Sequence, residues 1–116
     1  MLRVSFARVK PEKEQRLRDW LAELMTRQQE VRQSFAQEGA RQEQAFILPT
    51  SDGPIFVHVM EAEDTERAFA AYGESGLPID AQNRAVLAET LAERLLLWPQ
   101  YDCHAIPTTK DTKGFS

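Results

Sequence analysis

Two histidines, one cysteine, 14 Lys/Arg and 18 Asp/Glu are the groups with which this 116-residue chain can do proton, nucleophile or charge chemistry. His58 lies in Ile55-Phe-Val-His-Val-Met-Glu, and alternation sets it on one face with Phe56 and Met60. An imidazole in that setting can act as acid or base near neutral pH. The competing reading is a packed histidine with a single hydrogen bond. Asp102 and His104 share a face at the two-residue spacing of a strand, and Arg3 and Ser5 do the same near the start. An arginine fork and a hydroxyl suit an anionic or hydroxylated ligand. The candidate set is therefore His58 for acid–base work, with Arg3, Ser5, Phe56, Met60, Asp102 and His104 for binding. Two strands of separation put His58 and His104 about 10 Å apart. That is too wide for shared zinc, whose ligands lie near 2 Å, so neither a metal nor a bound cofactor is expected. Haem is a weaker third idea, open to a Soret titration. Cys103 reads as a small buried hydrophobe; being single, it excludes an internal disulfide and multi-cysteine metal sites.

The elements that must position these residues follow from periodicity. Leu2, Val4 and Phe6 alternate with Arg3, Ser5 and Ala7, which marks a first strand. Pro11 can open a helix, and Leu17, Trp20, Leu21, Leu24, Val31 and Phe35 form one stripe of an amphipathic helix of about 25 residues. Gly39 is its natural stop. Glu43–Leu48 and Ile55–Glu61 read as the arms of a hairpin around Asp52-Gly53. Asp64 can cap a short helix and Asp80 a second one, whose stripe of Leu87, Leu91, Leu95 and Trp98 runs to Pro99. Trp20 and Trp98 belong to these stripes as core. Tyr101–Ile106 completes the set as a short last strand.

The order βαββαβ predicts an α+β, ferredoxin-like domain over residues 1–106, followed by a polar tail at 107–116. Its sheet would be antiparallel, in spatial order 4-1-3-2, with both helices on one face. Both rows of the third strand are apolar. We expect Ile55, Val57 and Val59 under the helices, and Phe56, His58, Met60 and Phe46 on the uncovered face. Leaving that face in water would forfeit several kcal/mol at about 25 cal/mol per Å2, so a second copy of the sheet should cover it.

Charge excludes some functions. Residues 1–40 hold 8 Lys/Arg and 6 Asp/Glu, while residues 41–106 hold 4 and 11, for a net −4 over the chain. The basic residues of the first helix alternate with acids, so they read as a solvated face and not as a nucleic-acid patch. No apolar run reaches the roughly 20 residues of a membrane span, and charges interrupt the N-terminus where a signal peptide would be apolar. A cytoplasmic setting is expected.

Arg3-Val-Ser-Phe-Ala-Arg-Val-Lys-Pro-Glu-Lys-Glu14 resembles the strand-to-helix opening of the dimeric α/β-barrel superfamily, with Glu12 where the turn usually has Gly. Ser75-Gly-Leu-Pro-Ile-Asp80 is similar to a stretch of a small uncharacterised bacterial family within it, and Asn83 stands where a His would be expected. The resemblance implies a homodimer whose facing sheets enclose a cavity. Its relatives include cofactor-free monooxygenases, sugar mutarotases, haem-degrading enzymes and stress-related proteins, among which fold analogy does not choose. Two readings follow. Either a small organic molecule is bound or transformed in the cavity between sheet and helices without a bound cofactor, or the dimer is a non-catalytic structural or interaction protein with a solid core.

Overall fold

The computed structural model describes residues 1–107, so all but the first residue of the expected tail lies outside the described residues. Strand β1 (Leu2–Val9) leads through a 3-10 turn at Pro11–Lys13 into α1 (Glu14–Thr26) and α2 (Gln28–Glu38). The hairpin β2 (Ala40–Leu48) and β3 (Ile55–Ala62) follows, then α3 (Thr65–Glu74), α4 (Pro78–Thr90) and β4 (Leu91–Leu97). The sheet is antiparallel throughout, in the order β2-β3-β1-β4, as right-handed connections demand. This is the expected ferredoxin-like α+β plan. No helix among the described residues is long and apolar enough to cross a membrane.

Local chemistry explains most boundaries. Gly39 ends α2 with a left-handed φ of 74°, its N–H on the carbonyl of Phe35 at 2.8 Å. Asp64 caps α3 by accepting from the backbone N–H of Arg67 at 3.0 Å.

The single long helix is broken at Arg27, which leaves helical geometry at φ −121° and ψ 35°. Its guanidinium binds Glu23 and Glu30 at 2.7 Å each, one from either side of the break. The break lets α1 lie against α4 while α2 lies against α3. Asp80 does not cap α4: Pro78 occupies its first turn after Leu77, and Asp80 is buried further along that turn.

The last strand also differs from expectation. Leu87, Leu91 and Leu95 fit a helix, but α4 stops at Thr90, whose carbonyl accepts from the N–H of Lys10 at 2.9 Å. From Leu91 the chain is extended, and its backbone groups pair with the free edge of β1, Phe6 opposite Leu95 and Val4 opposite Leu97. Four leucines and an alternating Arg94 satisfy a strand as well as a helix, and the sheet edge decides. Residues 101–106 form an exposed coil, so Cys103 is not buried, and Trp98 is 76% exposed instead of core.

The two faces of the sheet are exchanged relative to expectation. Phe56, His58, Met60 and Ala62 lie beneath the helices with Ser5, Ala7 and Val9. Ile55, Val57 and Val59 line the uncovered face with Leu2, Val4 and Phe6. Size explains the choice. The large β3 row faces helices across the small β1 residues Ser5 and Ala7, which are register partners of His58 and Phe56. Both β3 rows are apolar, so periodicity alone could not say which side the helices take. Phe46 is on the open face with Val57, not on the face of Phe56, His58 and Met60 that it was expected to share, and is 49% exposed beside Leu48, Leu95 and Leu97.

Candidate functional site

The layer between sheet and helices is not filled above β2 and β3. A cavity of ≈ 50 Å3 remains there, enough for a few water molecules. Leu21, Leu24 and Leu87 supply helix walls and Phe56, Met60 and Ala45 the floor. Polar groups converge on it from six elements: Glu38, Glu43, His58, Tyr72, Asn83 and Arg94.

His58 is held by its neighbours on both strands. Glu43 on β2 lies diagonally across from it, and the Glu43 carboxylate accepts from Nε2 at 2.8 Å. Phe56 stacks at 6.3 Å and Phe69 meets the ring edge-on at 6.3 Å. Since a carboxylate can only accept, Nε2 carries the proton of this contact, and in the neutral imidazole Nδ1 then holds a free lone pair. Nδ1 is buried and has no hydrogen-bond partner among the described residues.

A second network fixes Asn83. Trp20 Nε1 donates to its oxygen at 2.7 Å, and its amide nitrogen donates to the Tyr72 hydroxyl at 2.6 Å. Burial pushes the Tyr72 phenol up to about 12, so it stays a neutral donor. Arg84 secures Tyr72 further by donating to its carbonyl at 2.6 Å and lying 5.6 Å over its ring.

Glu38, at the end of α2, is buried and touches the cavity from above. Ser34 Oγ contacts the Glu38 carboxyl and also Asp80, at 2.7 and 2.9 Å to its two oxygens. One hydroxyl has one proton, so it can donate to only one carboxylate. A protonated Glu38 donating to Ser34, with Ser34 donating to Asp80, satisfies every group. Burial, aided by the charges of Asp80 and Glu43, accordingly pushes Glu38 up to about 7 from the ordinary 4.5. The native state then binds the proton that the unfolded chain has already lost. Stability should therefore fall as pH rises from about 4.5 to 7, and level off above. Glu38→Gln is expected to flatten that slope, read by urea unfolding across the window.

Of the residues singled out in the sequence, His58, Phe56 and Met60 line the cavity. Ser5 shares their face and accepts from Arg94 Nε at 3.1 Å. Arg3 also lies on that face, but its guanidinium stacks 3.7 Å over Phe69, with Nε buried and unpartnered among the described residues. Asp102 and His104 are not brought to the site. They lie in the exposed coil after β4, 3.5 Å from each other, because the strand forms ten residues earlier than their alternation suggested. No group of three or more metal-ligating side chains occurs among the described residues.

Sequence reasoning missed Glu38, Glu43, Tyr72 and Arg94. Glu43 carried a signal: it alternates with Ala45 and Ile47, the inward row of β2. Arg94 was concealed in a segment read as helix. Asn83, noted only as a departure from an expected His, is the centre of the Trp20–Tyr72 network.

Comparison with known proteins follows the fold. Rv0793 of Mycobacterium tuberculosis is similar at 18% identity, with a TM-score of 0.52 over 89% of this chain and 97% of its own. A putative antibiotic biosynthesis monooxygenase of Nitrosomonas europaea is similar at 20% identity, with a TM-score of 0.51 over 86% of this chain and 89% of its own. At these identities the likeness shows a shared ferredoxin-like fold and selects no role. No curated protein matches the chain. One family model spans residues 2–107, and on that match the chain belongs to DUF6176, a family of unknown function.

Proposed function

We propose that the cavity between sheet and helices binds a small organic molecule and moves a proton on it, with His58 as the acid–base residue and Glu43 as its orienting partner. The observation that carries this reading is the buried Nδ1 of His58, which has no partner among the described residues while Nε2 is fixed by Glu43. A polar atom buried without a partner costs roughly 1–3 kcal/mol, and a ligand hydrogen bond offsets that cost. A histidine serving only as packing would have no use for this arrangement. Tyr72, Asn83 and Glu38 surround the same space and can orient the molecule.

The working form in this proposal is a homodimer. The open sheet face presents Leu2, Phe46, Leu48, Leu95 and Leu97, each between 46% and 65% exposed, around the partly exposed Val4, Phe6 and Val57. Two copies of that face would cover each other, leaving both cavities on the helix sides. A reducing, cytoplasmic setting is in keeping with Cys103, the one cysteine, being exposed.

Fragment screening by 1H–15N NMR tests the site. Fragments should shift the amide signals of Phe56, His58 and Asn83, and His58→Ala should weaken them at least tenfold with the fold intact. If His58→Ala leaves fragment binding unchanged while stability holds or rises, the solid-core reading replaces this one.

A further inference from the structure

Arg94 is the cation of the cavity, and its geometry says what it lacks. It lies opposite Ala7 in the β1–β4 register, on the face beneath the helices. With only a methyl group at Ala7 to cross, its side chain reaches over β1 toward β3 and brings the guanidinium 5.8 Å from the Phe56 ring. Nε donates to Ser5 Oγ at 3.1 Å, which fixes the plane of the fork. The two terminal NH2 groups make no hydrogen bond, and no carboxylate lies within 4.0 Å of them, among the described residues. The other inward cations are occupied. Arg27 binds two glutamates, Arg84 binds the carbonyls of Tyr72 and Ser75, and Arg3 stacks on Phe69.

The guanidinium is half-buried, and burial pushes its pKa down. Glu43 favours its charge from across the cavity and Arg3 opposes it. An anion delivered by a ligand supplies what the protein does not. The free edge offered by Arg94 is planar and two-pronged, which matches a carboxylate. A phosphate dianion fits less well, with one facing cation and the carboxylate of Glu43 on the same cavity. The second feature is the Nδ1 lone pair of His58, an acceptor that calls for an O–H. Leu21, Leu24 and Leu87 then face the carbon skeleton, and the small cavity suits a short one.

Building on the reading of the cavity as a ligand site, we propose that it takes a small hydroxylated carboxylate, with the carboxylate on the free fork of Arg94 and the hydroxyl donating to Nδ1 of His58. Arg94 is the specificity-determining residue.

Titration of the full chain with 2-hydroxybutanoate, butanoate and 2-hydroxybutanamide at matched salt, followed by amide shifts of Phe56, His58 and Arg94, tests this. The hydroxy acid should bind at least tenfold more tightly than its neutral amide, and more tightly than butanoate. Arg94→Gln should abolish the acid-over-amide preference, and Arg94→Lys should retain part of it. Equal binding of acid and amide, or a preference undiminished in Arg94→Gln, overturns the role of Arg94 and leaves the cavity standing as a neutral site. Butanoate binding as tightly as the hydroxy acid overturns the assignment of the hydroxyl to His58. If none of the three moves a cavity signal while other fragments do, the proposal falls and the cavity stands as a site; if no fragment moves one either, both fall.

Discussion

Phe56→Ala is expected to lower the unfolding free energy by about 3–5 kcal/mol. Phe56 is 2% exposed and belongs to the core cluster of Ala7, Val9, Leu17 and Leu91, with Leu21 and Leu87 packed against it. It also forms the floor of the cavity and stacks on His58. Truncation therefore enlarges a space that is already unfilled, and the surrounding helices have little to collapse onto. Urea unfolding reads the loss directly. A cost below about 1 kcal/mol would mean that the layer beneath the helices is fluid enough to close, in which case it would hold no shaped site.

Val57→Glu should have the opposite kind of consequence, on assembly more than on folding. Val57 pairs with Phe6 in the middle of the open face. In a face-to-face dimer the substitution brings two carboxylates into an apolar seam. We expect a penalty of about 4 kcal/mol, equivalent to roughly thousandfold weaker dimerisation. Sedimentation should show a dimer for the parent at micromolar concentration and a folded monomer for the variant. A monomeric parent, whose behaviour Val57→Glu leaves unchanged or improves, would show that this face is open to water in the working protein.

The plan of the fold was legible because its strongest signals are local. The alternation of Leu2–Phe6, the stop at Gly39, the Asp52-Gly53 hairpin and the cap at Asp64 each act over a few residues, and each falls where expected. What misled was ambiguity of period. Leu91–Leu97 satisfies a helix and a strand equally, and only the unpaired edge of β1 settles it. That one displacement removes Asp102 and His104 from the sheet and brings Arg94 to the cavity in their place. The interruption at Arg27 carries no Pro or Gly, so nothing in the pattern marks it.

The candidate site was half legible for a related reason. His58 stands out as a polar residue in an apolar strand, but the face it occupies depends on the size match with Ser5 and Ala7 across β1, a property of register and not of either segment alone. Glu38 and Glu43 look like members of solvated runs, and only the fold turns them inward. Such residues are the expected failures of local reading, since a buried acid is a local cost that folding alone would not select.

The state of the His58 imidazole decides whether the cavity offers an acceptor to a ligand. Nitrogen-15 NMR of the His58 side chain, in the parent and in Glu43→Gln, reports which ring nitrogen carries the proton and whether the other is hydrogen-bonded. The structure predicts the Nε2–H form in the parent, with an unprotonated and unbonded Nδ1, and loss of that preference once the Glu43 carboxylate is gone. An Nδ1–H form, or a ring indifferent to Glu43, would contradict it.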